Sequence, residues 1–138
     1  MSGERGAEQK RRIIIVEDNA LVGKFFRMAL ERAGGFACLV TEDVPSILAE
    51  VRAEKVDLVL LDLSLTNAEW EGQKVNGVEL CRLLKKNSPR HLPVMLATAH
   101  AMSGDRERFL EASGADGYLE KPVYDSALLV AKVRELMH

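Results

Sequence analysis

Short apolar runs typical of strands alternate along the chain with apolar residues at helical spacing. Short, mainly apolar runs occur at 12–16, 36–40, 56–61, 93–97 and 117–120, and the first of them is β-branched from Ile13 to Val16. Each run leads into polar residues, which is typical of strands that are buried on both faces of a parallel sheet and surface at their C-terminal ends. The pattern therefore predicts five parallel strands.

Helical periodicity follows each of these runs. The predicted helices lie at 20–33, after Asp43, from about Gly77, at 103–113, and after Pro122. Asp43 is a suitable N-cap for the second helix, with Pro45 in its first turn. The helix over 103–113 is weakly apolar, and we expect Phe109 and Leu110 to anchor it.

The alternation of strand and helix contains no hairpin signal, which predicts an α/β fold with a doubly wound, five-stranded parallel sheet and five helices covering both faces. Ligands of such sheets bind beyond the C-terminal ends of the strands. The one long interruption is Leu63–Asn76, which we predict to be an extended loop.

Composition narrows the class of protein. The chain has 138 residues, 47% of them hydrophobic, and no apolar run approaches the length of about 20 residues that crosses a bilayer. A net charge of −2 without a basic stripe argues against direct nucleic-acid binding.

The polar segment 1–11 lacks the apolar stretch of a secretory signal, so we expect a disordered tail on a cytoplasmic protein. Cys38 and Cys81 are predicted to be reduced core residues.

The candidate chemistry lies where the predicted strands end. Glu17 and Asp18, Asp62, Thr98 and Lys121 would meet at one edge of the sheet. Two carboxylates about 5 Å apart repel by roughly 3 kcal/mol at an effective dielectric near 20, so three of them need a counter-charge. Mg²⁺ supplies it, and a carboxylate can then accept a phosphoryl group. Asp62 would attack and Lys121 would clamp the phosphoryl oxygens.

These residues also carry a resemblance. Glu17-Asp18, Asp62, Thr98-Ala99 and Lys121-Pro122, in this order and on these elements, resemble the receiver domains of bacterial response regulators. The resemblance covers the chain from about Arg12 to His138 and implies a receiver domain over 12–138. It also implies the flavodoxin-like strand order 2-1-3-4-5.

The resemblance assigns roles to the acidic residues. It implies that Asp18 and Asp62 ligate Mg²⁺ directly, that Glu17 orients a metal-bound water, and that the main-chain carbonyl of Ser64 completes the protein ligands. Asp62 would accept phosphate from a sensor histidine kinase or a histidine phosphotransfer protein. The chain would thus be a signalling phospho-acceptor rather than an enzyme, although it would promote its own phosphoryl transfer and dephosphorylation.

The resemblance further implies a switch. The Thr98 hydroxyl would move toward the phosphoryl group, Tyr118 would swing inward, and a cis Lys121–Pro122 peptide would aim the ammonium at Asp62. His100 would modulate phosphate lifetime, although a plain surface histidine explains it equally well. The 98–138 face would then bind a downstream protein, with the chain a monomer or a phosphorylation-dependent homodimer.

The chain departs from the family pattern after Asp62. Thr66 stands where family members commonly have proline, and the expected glycine comes only at Gly77. One interpretation is a tolerated insertion, because lengthening a loop costs little. The alternative is that Trp70, the only tryptophan, anchors a partner or covers the site.

Two other functions stay open from the sequence. One is a phosphatase that turns over through an aspartyl phosphate, although Ser64 replaces the aspartate expected as its general acid. The other is a phosphorylation-independent adaptor that uses the Trp70 loop. The residues after Pro122 suffice for one helix, so we expect output through protein contacts or phosphate relay.

Overall fold

The computed structural model describes residues 10–99 and 102–137 of the chain. Strands of the main sheet are β1 (Arg12–Val16), β2 (Ala37–Val40), β3 (Leu58–Asp62), β6 (Val94–Thr98) and β7 (Gly117–Glu120). Two shorter strands are β4 (Glu69–Trp70) and β5 (Gln73–Lys74). Helices are α1 (Ala20–Arg32), α2 (Val44–Arg52), α3 (Gly77–Asn87), α4 (Asp105–Ser113) and α5 (Ser126–Leu136).

The main sheet has five strands in the order β2-β1-β3-β6-β7, and each neighbouring pair is parallel. Counting the strands of this sheet alone, the order is 2-1-3-4-5, which confirms the predicted fold. From β1 the chain adds β2 on one side of the sheet and then β3 on the other side, so the order switches between β1 and β3. The C-terminal ends of β1 and β3 lie side by side. A ligand site is expected at this switch point.

Hydrophobic clusters cover both faces of the sheet. On one face Val16 and Leu61 pack with residues of α2 and α3, and Phe109 and Leu110 of α4 add partly buried contacts. On the other face the side chains come from α1 and α5. The helix α4 begins at Asp105 rather than Ser103, after Gly104 in the left-handed conformation with φ 85°.

Side-chain caps fix the starts of two helices near the sheet edge. The side chain of Asn19 accepts hydrogen bonds from the backbone N–H groups of Leu21 and Val22 at the start of α1. Asp43 caps α2, as predicted, and Pro45 lies in the first turn. Satisfying these otherwise unpaired N–H groups stabilises the helices where they leave the sheet.

The segment between β3 and α3 has the predicted bounds, 63–76, but it contains a hairpin that the sequence pattern did not indicate. Glu69 pairs with Lys74 and Trp70 with Gln73 in antiparallel register. The turn residues Glu71 and Gly72 have φ values of 52° and 79°, the two successive positive angles that characterise a type I′ hairpin turn. Strands this short are missed because they offer too few positions for an alternating pattern.

Neither cysteine forms a disulfide bond, as predicted. Cys81 is buried, Cys38 is partly buried, and both are free thiols. Burial raises the pKa of Cys38 to about 12 and that of Cys81 to about 11.

Apart from Lys10 and Arg11, the predicted tail over 1–11 lies outside the described residues. None of the described helices has the length and apolar character needed to cross a bilayer.

Candidate functional site

Three carboxylates converge where β1 and β3 end. Glu17, Asp18 and Asp62 each offer one oxygen, and these oxygens all lie within 4.8 Å of one another. Glu17 and Asp62 are only 6% and 3% exposed, whereas Asp18 is half-buried. Carboxylates this close and this dry repel strongly unless positive charge lies among them. The predicted acidic group is therefore confirmed as one cluster in space.

Lys121 brings the positive charge from the loop after β7. Its Nζ lies 2.9 Å from Oε1 of Glu17 and 3.4 Å from Oδ1 of Asp62. The peptide bond between Lys121 and Pro122 is cis, and the backbone N–H of Lys121 donates to the carbonyl of Thr98 at 2.7 Å. The ammonium is thus held between two buried carboxylates.

The charges in the cluster perturb one another. Burial raises the pKa of Glu17, although the hydrogen bond from Lys121 opposes this shift. Burial alone would lower the pKa of Lys121, but the hydrogen bond to Glu17 and the charge of Asp62 raise it above its ordinary value. With Asp18 included, three acidic side chains face one ammonium, which leaves an excess of negative charge that a divalent cation would balance.

The backbone after Asp62 is packed tightly against α3. The N–H of Ser64 donates to Oδ1 of Asp62 at 3.1 Å, while the Ser64 side chain itself is exposed. A Cβ added to Gly77 would lie 2.6 Å from the carbonyl oxygen of Asp62 and 2.7 Å from Cα of Leu63. Only glycine lets the first turn of α3 approach this closely, so Gly77 helps to set the position of Asp62.

Thr98 and Tyr118 lie on the neighbouring strands. Thr98 is 4% exposed at the end of β6, one residue beyond the Ala97 that pairs with Asp62. Tyr118 is buried in the cluster beneath α3 and α4, and its hydroxyl has no hydrogen-bond partner within residues 10–99 and 102–137. Burial, and then the charge of Asp105, raise the pKa of Tyr118. Its ring already occupies an inward position.

The other predicted site residues fall in different surroundings. Ala99 and Pro122 line a surface groove beside Lys121. Trp70 is partly buried and packs against the hydrophobic cluster on the α2 and α3 side. His100 lies outside the described residues, so its predicted effect on phosphate lifetime stays a prediction.

Two contacts around the acidic cluster were not predicted. The Thr66 hydroxyl donates to Oδ2 of Asp18 at 2.8 Å, and Nζ of Lys74 donates to the Thr66 carbonyl at 3.0 Å. Glu42 follows β2, and burial, together with the charges of Asp18 and Asp62, raises its pKa. The strand-end rule that selected Glu17 applies equally to Glu42 and could have found it, whereas no sequence signal pointed to Lys74.

Comparisons with known proteins agree with this geometry. A family model described as the response regulator receiver domain matches residues 13–134. The polar-differentiation response regulator DivK of Brucella anthropi is 37% identical over 112 residues, which cover 80% of this chain and 84% of that protein. The transcriptional regulatory protein CseB of Streptomyces coelicolor is 38% identical over 125 residues, and the match covers 91% of this chain but 48% of CseB.

Solved structures show the same fold. The CheY-like receiver domain protein of Methanospirillum hungatei superposes with a TM-score of 0.73 at 26% identity, covering 92% of this chain and 93% of that chain. The BeF3-activated receiver domain of Klebsiella pneumoniae RstA gives 0.71 at 28% identity, covering 91% and 97%.

Fold, acidic cluster and relatives together define a phospho-acceptor module of two-component signalling. The chain belongs to the response regulator receiver domain family. Its function is that of a phosphorylation-activated switch in such a system.

Proposed function

We propose that Asp62 is the residue phosphorylated in this switch and that the reaction requires Mg²⁺. The observation that carries the proposal is the position of the Lys121 ammonium, within 3.4 Å of a buried carboxylate that lies in an acidic cluster. A structural ion pair alone would not need the second and third carboxylates, whose repulsion destabilises the folded protein.

The donor set fits Mg²⁺. Glu17, Asp18 and Asp62 provide the hard oxygen donors that Mg²⁺ prefers, and the half-buried Asp18 leaves the edge open to an ion from solvent. We infer that Asp18 and Asp62 ligate the ion, that Glu17 acts through a bound water, and that the Ser64 carbonyl adds a further ligand. When bound, Mg²⁺ neutralises charge on the phosphoryl oxygens.

The protein groups have distinct tasks in the transfer. The N–H of Ser64 and the ammonium of Lys121 both contact Oδ1 of Asp62, which leaves Oδ2 as the attacking oxygen. Oδ2 forms the new O–P bond as the P–N bond of a phosphohistidine donor breaks, and the leaving imidazole retains the electron pair. Lys121 then stabilises the charge on the phosphoryl oxygens, and Thr98 donates a hydrogen bond to one of them.

The phosphodonor protein would dock beside this site. A groove of about 520 Å³ runs from Asn19 and Lys121 along α1 to Tyr124. Leu21 and Tyr124 on its rim are 80% and 86% exposed. Large apolar side chains this exposed indicate a protein contact, and their place next to Lys121 suits a histidine kinase or phosphotransfer protein that must bring its phosphohistidine to Asp62.

The signal would leave through the face formed by α4, β7 and α5. Thr98 ends β6, the strand between that of Asp62 and β7, which carries Tyr118. Met102, before α4, and Leu128, on α5, are 76% and 49% exposed. A phosphoryl group that draws Thr98 toward Asp62 would stabilise one arrangement of Tyr118 and of the surface above it, favouring one set of protein partners.

The test is intact mass after incubation with acetyl phosphate and Mg²⁺. The wild type should gain one phosphoryl group, whereas Asp62→Asn, or the wild type in EDTA, should gain none. No addition to the wild type, under conditions where a control receiver domain is modified, would contradict the proposal. Partner binding that is unchanged in Asp62→Asn would instead support a phosphorylation-independent adaptor.

A further inference from the structure

The segment between β3 and α3 is attached to the metal-binding edge through one side chain. The Thr66 hydroxyl donates to Oδ2 of Asp18, at 2.8 Å, from a residue distant in sequence. Thr66 is itself exposed, so water could have satisfied both groups. Because the hydroxyl contacts the carboxylate in place of water, it restricts the rotation of the Asp18 side chain. Asp18 is the least buried acid of the cluster.

The backbone around Thr66 is fixed independently of that hydrogen bond. Leu65 and Ala68 are 7% and 1% exposed and belong to the hydrophobic cluster on the α2 and α3 side. The N–H of Val75 donates to the Ala68 carbonyl at 3.0 Å, and Lys74 donates to the Thr66 carbonyl. The donor is thus presented to Asp18 from an anchored segment, which lowers the entropic cost of the contact.

We propose that Thr66 is a positioning residue for Asp18. Its hydroxyl holds the Asp18 carboxylate in the orientation that places one of its oxygens within 4.8 Å of those of Glu17 and Asp62, so the 63–76 segment sets the affinity of the edge for Mg²⁺. A carboxylate oriented before the ion arrives loses less rotational freedom on binding, which makes binding tighter. This inference rests on the proposed role of Asp18 as a magnesium ligand.

The experiment is a calorimetric titration of the full chain with Mg²⁺, comparing wild type, Thr66→Val and Thr66→Ser. Valine keeps the shape of threonine without the donor, and serine keeps the donor. Without this hydrogen bond the Asp18 side chain has to be ordered when the ion binds, which should raise the Kd for Mg²⁺ about threefold to tenfold in Thr66→Val. Thr66→Ser should stay within about twofold of the wild type. Lys74→Gln, which leaves the hydroxyl in place, should show a smaller increase of about twofold.

Phosphorylation by acetyl phosphate separates positioning from general damage. In Thr66→Val the Mg²⁺ concentration for half-maximal rate should shift by the same factor as the Kd, while the rate at saturating Mg²⁺ stays near that of the wild type. Equal Kd values for wild type and Thr66→Val, or a Thr66→Ser variant as weak as Thr66→Val, would overturn the inference. So would a wild type that does not bind Mg²⁺. If the Kd shift is present but the wild type is never phosphorylated, the inference on Thr66 stands and the proposed function fails.

Discussion

Replacing Lys121 by methionine tests how the acidic cluster is held together. Methionine keeps most of the length and apolar surface of lysine and removes only the ammonium. The side chains of Glu17 and Asp62, which are 2% and 3% exposed, would then have lost their positive neighbour. We expect a large loss of stability at neutral pH in the absence of divalent cations.

The distances set the size of the effect. At an effective dielectric near 20, opposite charges 2.9 Å apart attract by about 6 kcal/mol, and those 3.4 Å apart attract by about 5 kcal/mol. Against this, the variant no longer has to dehydrate an ammonium, which costs several kcal/mol in the wild type. The expected net decrease in the free energy of unfolding is about 3 kcal/mol, at the low end for a broken buried ion pair.

The assay is urea unfolding in EDTA, with Glu17→Gln and the double variant completing a thermodynamic cycle. Because neutralising Glu17 removes the charge that Lys121 had balanced, the double variant should be more stable than Lys121→Met alone. The coupling energy should reach about 2 kcal/mol. A Lys121→Met variant that loses less than about 1 kcal/mol, or a coupling energy below about 0.5 kcal/mol, would refute the reasoning.

Three further predictions test the surrounding structure. Gly77→Ala should lower the free energy of unfolding by about 2 kcal/mol and slow labelling by acetyl phosphate, because its Cβ meets the backbone of Asp62; an unchanged urea midpoint would contradict this. Asn76→Ala should cost about 1 kcal/mol by removing the capping box of α3, whereas Asn76→Asp should retain most of it; similar losses in both variants would count against the cap. Because burial raises the pKa of Cys38 to about 12 from an ordinary 9.0, its thiolate is scarce at pH 8.5, so iodoacetamide should modify it at least about tenfold more slowly in the native than in the urea-unfolded protein. The native rate should rise with pH, and equal rates in the two states would show an open thiol.

Much of the site follows from two regularities of sequence. Buried parallel strands have continuous apolar runs, and their C-terminal ends meet at one edge, so Glu17, Asp62 and Lys121 could be placed together before any coordinates were known. The order of the strands in the sheet, in contrast, was implied by the family resemblance. Both regularities depend on local pattern and connectivity, which a single sequence contains.

What sequence could not supply depends on contacts between distant residues. The hydrogen bond from Thr66 to Asp18 joins residues whose spacing carries no periodic signal. The hairpin of β4 and β5 has strands of two residues each, below the length at which alternation is visible. The buried setting of Tyr118 follows from the packing of α3 and α4, which the weakly apolar pattern of α4 did not reveal.

The hairpin tip offers a practical handle on the protein. Glu71 and Gly72 are exposed, whereas the segment is anchored on either side of them by Ala68 and Val75. Extra residues inserted at a two-residue turn extend into solvent and cost little in chain entropy. A peptide tag or fluorophore placed between Glu71 and Gly72 would therefore be attached to a hairpin that contacts the acidic cluster through Lys74 and Thr66. Such a probe could follow phosphorylation optically without altering any residue of the acidic cluster.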